Sequence, residues 1–400
     1  MTNRTISNAT VALFAVAGGI AVANVYYLQP LLQLIVQDLH ASARSVGLVA
    51  VMMQAGYALG ILAFVPLGDV VQPRPLVVGM FAAVALMLAA AADAPNVALL
   101  ALAALGIGTC TTCAQVLLPY AADLAAPANR GRIIGTIQTG LIVGTLFARA
   151  GGGLIGARFG WRSVLWCAAV LSAAAAAALW RTMPLRPNRA SLSYGALIGS
   201  TVGLVVRYAP LRASMGLGAL AFAAFAAIWT VLAFHLHELG YGSAVAGGIG
   251  ALSIVSAFAA RYGGALADRR GTLFTGTLAW CILFAACATF AVFGWTLAGI
   301  VVAAVMFPLG MSLTQMSNQI RIFALDDTAR GRLNTAYMVT IFSGGALGAF
   351  AANETWHHAG WNGTCVLLLS LVAAMAPLLW WYRTDTKAAS TALPSWPGEG

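Results

Sequence analysis

Charge is scarce in this chain of 400 residues: Asp, Glu, Lys and Arg make up only 8% of it, and acidic side chains number 11. Soluble domains carry about 25% charged residues. With hydrophobic residues at 61% and a mean hydropathy of +0.87, a water-soluble globular protein is excluded. The period-two alternation of a membrane barrel strand is missing as well. The apolar runs continue unbroken for roughly 18 to 25 residues, the length an α-helix needs to cross a bilayer.

Cysteine is sparse, and Cys110, Cys113, Cys167, Cys281, Cys287 and Cys365 all lie inside apolar runs. The Cys110-x-x-Cys113 pair has no second pair or histidine nearby, so it reads as small packing residues, with no disulfide framework or zinc site. No metal or cofactor is expected. A phosphate-binding G-x-x-x-x-G-K-[ST] loop is absent, so ATP hydrolysis in this chain drives nothing, and the expectation is a protein that is not an enzyme. No small-residue cleavage site follows a short apolar core at the N-terminus, so the first run is expected to remain as a membrane helix. Nor does any carboxylate fall in the middle of an apolar run: every Asp and Glu sits at a run's end, in a loop or in the tail.

What is present is a duplication. The frame from Arg130-Gly131-Arg132 to Gly160-Trp161 returns at Arg330-Gly331-Arg332 to Gly360-Trp361, 200 positions later. The same shift matches Gly144 to Gly344, Gln115 to Gln315, Gly47 to Gly247 and Asp38-Leu39 to Glu238-Leu239, with Asp69 and Asp268 one residue out of step. At ~1.5 Å per residue the segment between arginines and Gly-Trp rises ~42 Å, enough for a bilayer with its headgroup zones.

Twelve spans follow, six in each copy: Thr10 to Val36, Ser45 to Leu67, Pro75 to Ala92, Val97 to Ala122, Ile133 to Ala157 and Ser163 to Met183, then Ala213 to Leu236, Ser243 to Leu266, Thr272 to Phe293, Trp295 to Ile320, Leu333 to Asn353 and Trp361 to Tyr382. The organisation expected is a first six-helix half over 1–183, a linker over 184–212 whose short apolar segment Leu192 to Val206 lies in the membrane interface, a second half over 213–383, and a disordered tail over 384–400. With these spans, Arg44, Arg158 and Arg162 fall on one side and nearly all other basic loop residues on the opposite side. That bias places both termini in the cytoplasm of a bacterium, with the protein in its inner membrane. The net charge of +10 reports topology, and no nucleic-acid partner is expected. The expected partners are the lipid bilayer, a small-molecule substrate and protons, with the chain acting as a monomer.

Polar groups inside spans must face protein or water. Asn24, Tyr27 and Gln29 on span 1, Gln115 on span 4, Gln138 on span 5, Trp229 on span 7, Gln315, Asn318 and Gln319 on span 10 and Tyr337 on span 11 are candidate cavity residues. On span 5 the small residues Thr136, Gly140, Gly144, Ala148, Gly152 and Gly156 recur at every fourth position, a smooth face expected to slide against the other half. Arg149 lies on the same span, ~26 Å beyond Arg132, where an unpaired arginine costs at least ~2.5 kcal/mol. Two roles fit it: an anchor for an anion or substrate, or a structural pin to carbonyls and tyrosines of neighbouring helices.

Gly264-Ala265-Leu266-Ala267-Asp268-Arg269-Arg270-Gly271 closely resembles the G-x-L-A-D-R-x-G loop signature of the major facilitator superfamily, and Gly68-Asp69 with Arg74 resembles a degenerate copy. The resemblance covers about Thr10 to Tyr382. It implies an all-α membrane protein with the major facilitator fold, two pseudo-symmetric six-helix halves, and transport by alternating access. It also implies that Asp69, Arg74, Asp268 and Arg269 are gate residues; topogenic charge and helix capping are the alternative for the same positions. Gly144, Ala148, Gly152 and Gly153 resemble the family's antiporter signature, departing from it at Ala148 and Arg149. Asn24-Val25-Tyr26-Tyr27-Leu28-Gln29-Pro30-Leu31-Leu32 with Arg149 resembles a bacterial efflux branch. The expectation is therefore a secondary transporter exporting a drug, sugar or metabolite by proton antiport; uptake or facilitated exchange is the alternative. Proton coupling is left to Asp38, His235 or Glu238, since the central acid common in proton-coupled members is missing.

Overall fold

A backbone that crosses lipid must satisfy its own hydrogen bonds, and among the described residues this chain does so with helices and no strands. The computed structural model describes residues 7–125, 129–184, 193–254, 266–267, 269–326 and 328–381. Among the described residues, ten helices are long and apolar enough to span a membrane. The last of them, Arg330–Trp381, is broken at Gly360 into two helices, and Ser243–Ile254 is a shorter apolar helix.

Helix α1 (Asn8–Tyr26) starts where Ser7 accepts a hydrogen bond from the Thr10 amide. The expected single helix of span 1 is instead broken. Pro30 has no N–H to donate and its ring crowds the preceding turn, so a 3-10 turn (Gln29–Leu31) separates α1 from α2 (Leu32–Asp38). Helices α3 (Ala43–Val70) and α4 (Pro73–Ala92) follow. Span 4 is divided as well, into α5 (Val97–Thr111) and α6 (Cys113–Leu124). Its threonines turn inward on their own backbone at the break: Thr109 donates to the Leu105 carbonyl at 2.7 Å and Thr112 to that of Thr109 at 2.9 Å.

Helices α7 (Arg130–Phe159) and α8 (Trp161–Thr182) meet at Gly160, whose φ of 81° only glycine adopts without strain. The linker contains α9 (Tyr194–Arg207), and the second half continues through α10 (Ala209–Glu238), α11 (Ser243–Ala251), α12 (Thr272–Phe293), α13 (Leu297–Phe323) and α14 (Arg330–Ala373). Residues 255–265 of expected span 8 lie outside the described residues. Within α14 the helix continues past Asn353 and breaks at Gly360, φ 57°, the counterpart of Gly160.

The shift of 200 also governs packing. A Cβ on Gly144 would lie 2.6 Å from the Gly19 Cα on α1; one on Gly344 would lie 2.9 Å from the Ala219 Cα on α10. Both halves thus cross their first and fifth spans at the same backbone-to-backbone contact. The small-residue face of span 5 is spent inside its own half: Gly140 and Gly144 meet α1, Gly152 meets Tyr27, and Gly156 meets Leu31. The other half is contacted instead by the neighbours Arg149 and Gly153, one residue further round the helix.

Candidate functional site

The bundle has two ends: a basal end, where α1 begins and α9 lies, and a distal end, where Asp38 and Gly160 lie. At the distal end the halves touch through two contacts related by the duplication. Gly47 of α3 packs on Asn353 of α14, whose Nδ2 donates to the Arg44 carbonyl at 2.9 Å. Its counterpart Gly247 of α11 packs on Gly153 of α7, and Ser243 Oγ donates to the Gly153 carbonyl at 3.2 Å. Beside the first contact, the Arg44 Nε and Nη2 donate to both carboxylate oxygens of Glu354, at 3.0 and 2.8 Å. The Arg44 side chain is 51% exposed, so Arg44→Ala is expected to cost under about 1 kcal/mol. That is a severalfold gain in labelling of a Cys probe at the half-buried Gln33 in the distal mouth, without loss of folded protein.

At the basal end the halves part around a cavity of about 440 Å³. The first half supplies Gln115, Pro119 and Ile134, the second Asn334, Thr335 and Met338. Ile134 and Asn334 are duplication counterparts, so one lining position is apolar and its mate polar. Leu197 and Thr201 of α9 also line the cavity, and Tyr194 anchors that helix by donating to the Ala63 carbonyl at 3.1 Å. Deeper in, Gln115 Nε2 donates to the Tyr57 hydroxyl at 3.2 Å. Tyr57 packs on Phe342 with ring centroids 4.2 Å apart, Phe342 on Phe222 at 4.8 Å, and Phe222 on Phe225 at 5.4 Å. This aromatic partition ends at Arg149.

Arg149 is 1% exposed. Its Nη1 donates to Ser253 Oγ at 2.6 Å and toward the Gly250 carbonyl at 3.4 Å, both in the second half. Its guanidinium carbon lies 4.2 Å from the Trp229 ring centre, 4.7 Å from that of Tyr26 and 5.5 Å from that of Phe225. Gln29 and Trp229 share a small pocket with it.

The structure separates the other sequence candidates. Asn24 is buried in the first half, donating to Ser172 Oγ at 3.1 Å, and Tyr27 is buried against Gly152. Gln138 is exposed on α7, and Gln315 and Gln319 are half-buried on α13; none of the three lines the basal cavity. Asn318 and Tyr337 are buried together between α13 and α14. Arg74 stacks 4.9 Å over Trp180 and donates to its carbonyl, capping the end of α8. Arg269 is exposed, while Asp268 and the Asp69 side chain lie outside the described residues.

Among the titratable candidates, Asp38 accepts from Trp161 Nε1 at 3.0 Å and from Arg162. His235 is fully buried. It is stacked on Trp361 at 3.8 Å, with the edges of Trp295 and Trp356 beside it, and its Nε2 donates to the Gly294 carbonyl at 2.9 Å. The exposed Glu238 lies 3.9 Å from His235 Nδ1. Tyr57, Asn334, Thr335 and Ser253 were not legible as site residues: Asn334 and Thr335 open a span, where polar groups are ordinary, and Tyr57 and Ser253 are isolated hydroxyls within apolar runs.

A family model described as Major Facilitator Superfamily matches residues 14–349. The chain belongs to the Major Facilitator Superfamily. Among its relatives, the putative uncharacterized transporter YgaY of Escherichia coli (strain K12) is 35% identical over 95% of this chain and 96% of its own length. The probable transporter SCO4007 of Streptomyces coelicolor is 35% identical over 94% of this chain and 87% of its own. Solved structures share the fold at low identity. The nucleoside transporter NupG superposes with a TM-score of 0.70 at 16% identity, covering 95% of this chain and 100% of that one. A bacterial homologue of the human lysosomal transporter Spinster, in an inward-facing and occupied conformation, gives 0.73 at 16% identity, covering 95% and 96%. This major facilitator chain is thus a multi-pass membrane transporter, all-helical as its composition required.

Proposed function

We propose that the protein exports a small organic molecule from the bacterial cytoplasm across the inner membrane by proton antiport, through alternating access. The observation that carries the transport reading is the cavity between the halves, open at the basal end and shut at the distal end by the Arg44–Glu354 pair and the Gly153–Gly247 contact. The excess of basic residues on the basal side assigns that end to the cytoplasm, so the conformation faces inward. The lining mixes apolar groups with the Gln115 and Asn334 amides and the Thr335 and Thr201 hydroxyls, which suits an organic molecule with a few hydrogen-bonding groups. Export is supported by the antiporter-like glycines of α7. For the proton, His235 and Glu238 are the candidates whose geometry couples them to each other.

The deciding experiment uses everted vesicles energised by a proton gradient and challenged with a compound panel. Proton release on addition of a compound, lost on deletion of the transporter, supports antiport; accumulation that falls on deletion in intact cells supports uptake instead. Uptake is the second reading because no acid lies in the middle of a span. Either way, Met338→Trp is expected to fill the upper cavity and lower transport by about tenfold, the equivalent of 1.4 kcal/mol of binding. The purified variant should remain monodisperse.

A further inference from the structure

The duplication provides an internal control for Arg149. Its counterpart 200 positions on is Ala349, fully buried in a small apolar cluster with Val51 and Ala226. The same place in the same fold is therefore filled by a methyl group, and packing does not call for an arginine. Only Nη1 of Arg149 is spent on the protein: Nε and Nη2, both buried, have no hydrogen-bond partner among the described residues, and no carboxylate there pairs with the guanidinium. Nε and Nη2 form the side-on edge that takes a carboxylate bidentately, the edge Arg44 uses on Glu354. A buried cation with that edge unspent carries a desolvation cost that an anion would offset.

With the halves closed distally, the space beside Arg149 is about 10 Å³, no more than one water needs, so a ligand reaches the guanidinium only as the halves part. A small pocket beside Arg149 is walled by Trp229, Leu232 and Gly250, and it holds the Gln29 amide, whose buried Oε1 also lacks a partner. The pocket shares the lining residues Pro30, Ala233 and Ala246 with a separate distal vestibule of about 310 Å³ that includes Gln33 and Tyr241. Arg149 is therefore separated from the distal vestibule by Pro30, Ala233 and Ala246, and it contacts the second half. An anion gripping its free edge would sit where the halves must part.

We infer that Arg149 is the receptor for an organic monocarboxylate, its charge held on the Nε and Nη2 edge and its apolar body on the wall of Trp229 and Leu232. This deepens the transport reading and rests on it for the ligand's role as cargo.

The test measures binding of benzoate, phenylacetate and octanoate to the purified full-length protein in lipid nanodiscs by calorimetry, against benzamide, phenylacetamide and octanamide. At least one acid should bind about tenfold or more tightly than its neutral amide, in line with a charge-assisted pair. Arg149→Gln should remove that preference and Arg149→Lys should keep part of it, while chloride at equal concentration should not displace the acid. No preference for any acid, or a preference unchanged in Arg149→Gln, overturns the inference; the comparison in the unmodified protein stands even where a variant misfolds. Counterflow in proteoliposomes separates the two readings. Acid binding through Arg149 without movement of any compound leaves the site and removes the transport reading. Movement of neutral compounds with no acid preference does the reverse.

Discussion

Gly153→Leu is expected to hold the transporter open at its distal end. A Cβ at residue 153 would lie 2.5 Å from the Ser243 carbonyl oxygen and 3.0 Å from the Gly247 Cα, both backbone atoms of α11 in the opposite half. Neither can swing aside as a side chain could, so the closed contact must widen. Overpacking of this kind costs about 1 to 3 kcal/mol. The open arrangement, where α7 and α11 are apart, pays none of it. The cost therefore falls on one conformation alone, and a difference of 1.4 kcal/mol already moves the population tenfold. Labelling of a Gln33→Cys probe with a membrane-impermeant maleimide should rise by about that factor or more, and net transport should fall. Gly135→Leu is the control, because a Cβ there meets nothing within 4 Å. Unchanged labelling in Gly153→Leu would show that α7 and α11 are not the distal gate.

The contrast between those two glycines marks what a sequence makes legible. The helical spans follow from apolar length, because lipid forces helices, and residues recurring 200 positions apart mark the matching turns at Gly160 and Gly360. Arg149 stood out for the same reason: a charge at that depth has to be accommodated by protein. Its setting did not. Tyr26 and Phe225 are ordinary members of apolar runs, and Ser253 is an isolated hydroxyl; they converge only when α1, α10 and the segment after α11 meet. Asn24 reads like a cavity residue, but Ser172 on α8 satisfies it inside the first half. Polarity within a span says that a partner exists, and leaves open whether it is a ligand or the next helix. The small-residue face of α7 carries the same ambiguity: spacing marks it as a close-packing surface, and only the fold assigns it to α1.

That assignment yields the second large effect. Gly144→Leu and Gly344→Leu are expected to prevent assembly of their respective halves, each by about 3 kcal/mol or more, since a Cβ at either site collides with the backbone of the crossing helix, 2.6 Å from the Gly19 Cα and 2.9 Å from the Ala219 Cα. In a bilayer the helices gain nothing from hiding apolar surface, so association rests on close packing, and a crossing forced apart loses its contacts along its whole length. The two variants should lower the yield of monodisperse protein and its apparent melting temperature to similar degrees, because the duplication makes the sites equivalent. Gly135→Leu, on the exposed side of α7, should match the unmodified protein in both measurements. A fold built from two copies of one crossing predicts this symmetry of damage. If only one of the two substitutions were harmful, the halves would differ in how they cohere despite sharing a register, and the duplication would be a relic of sequence without a shared mechanical role.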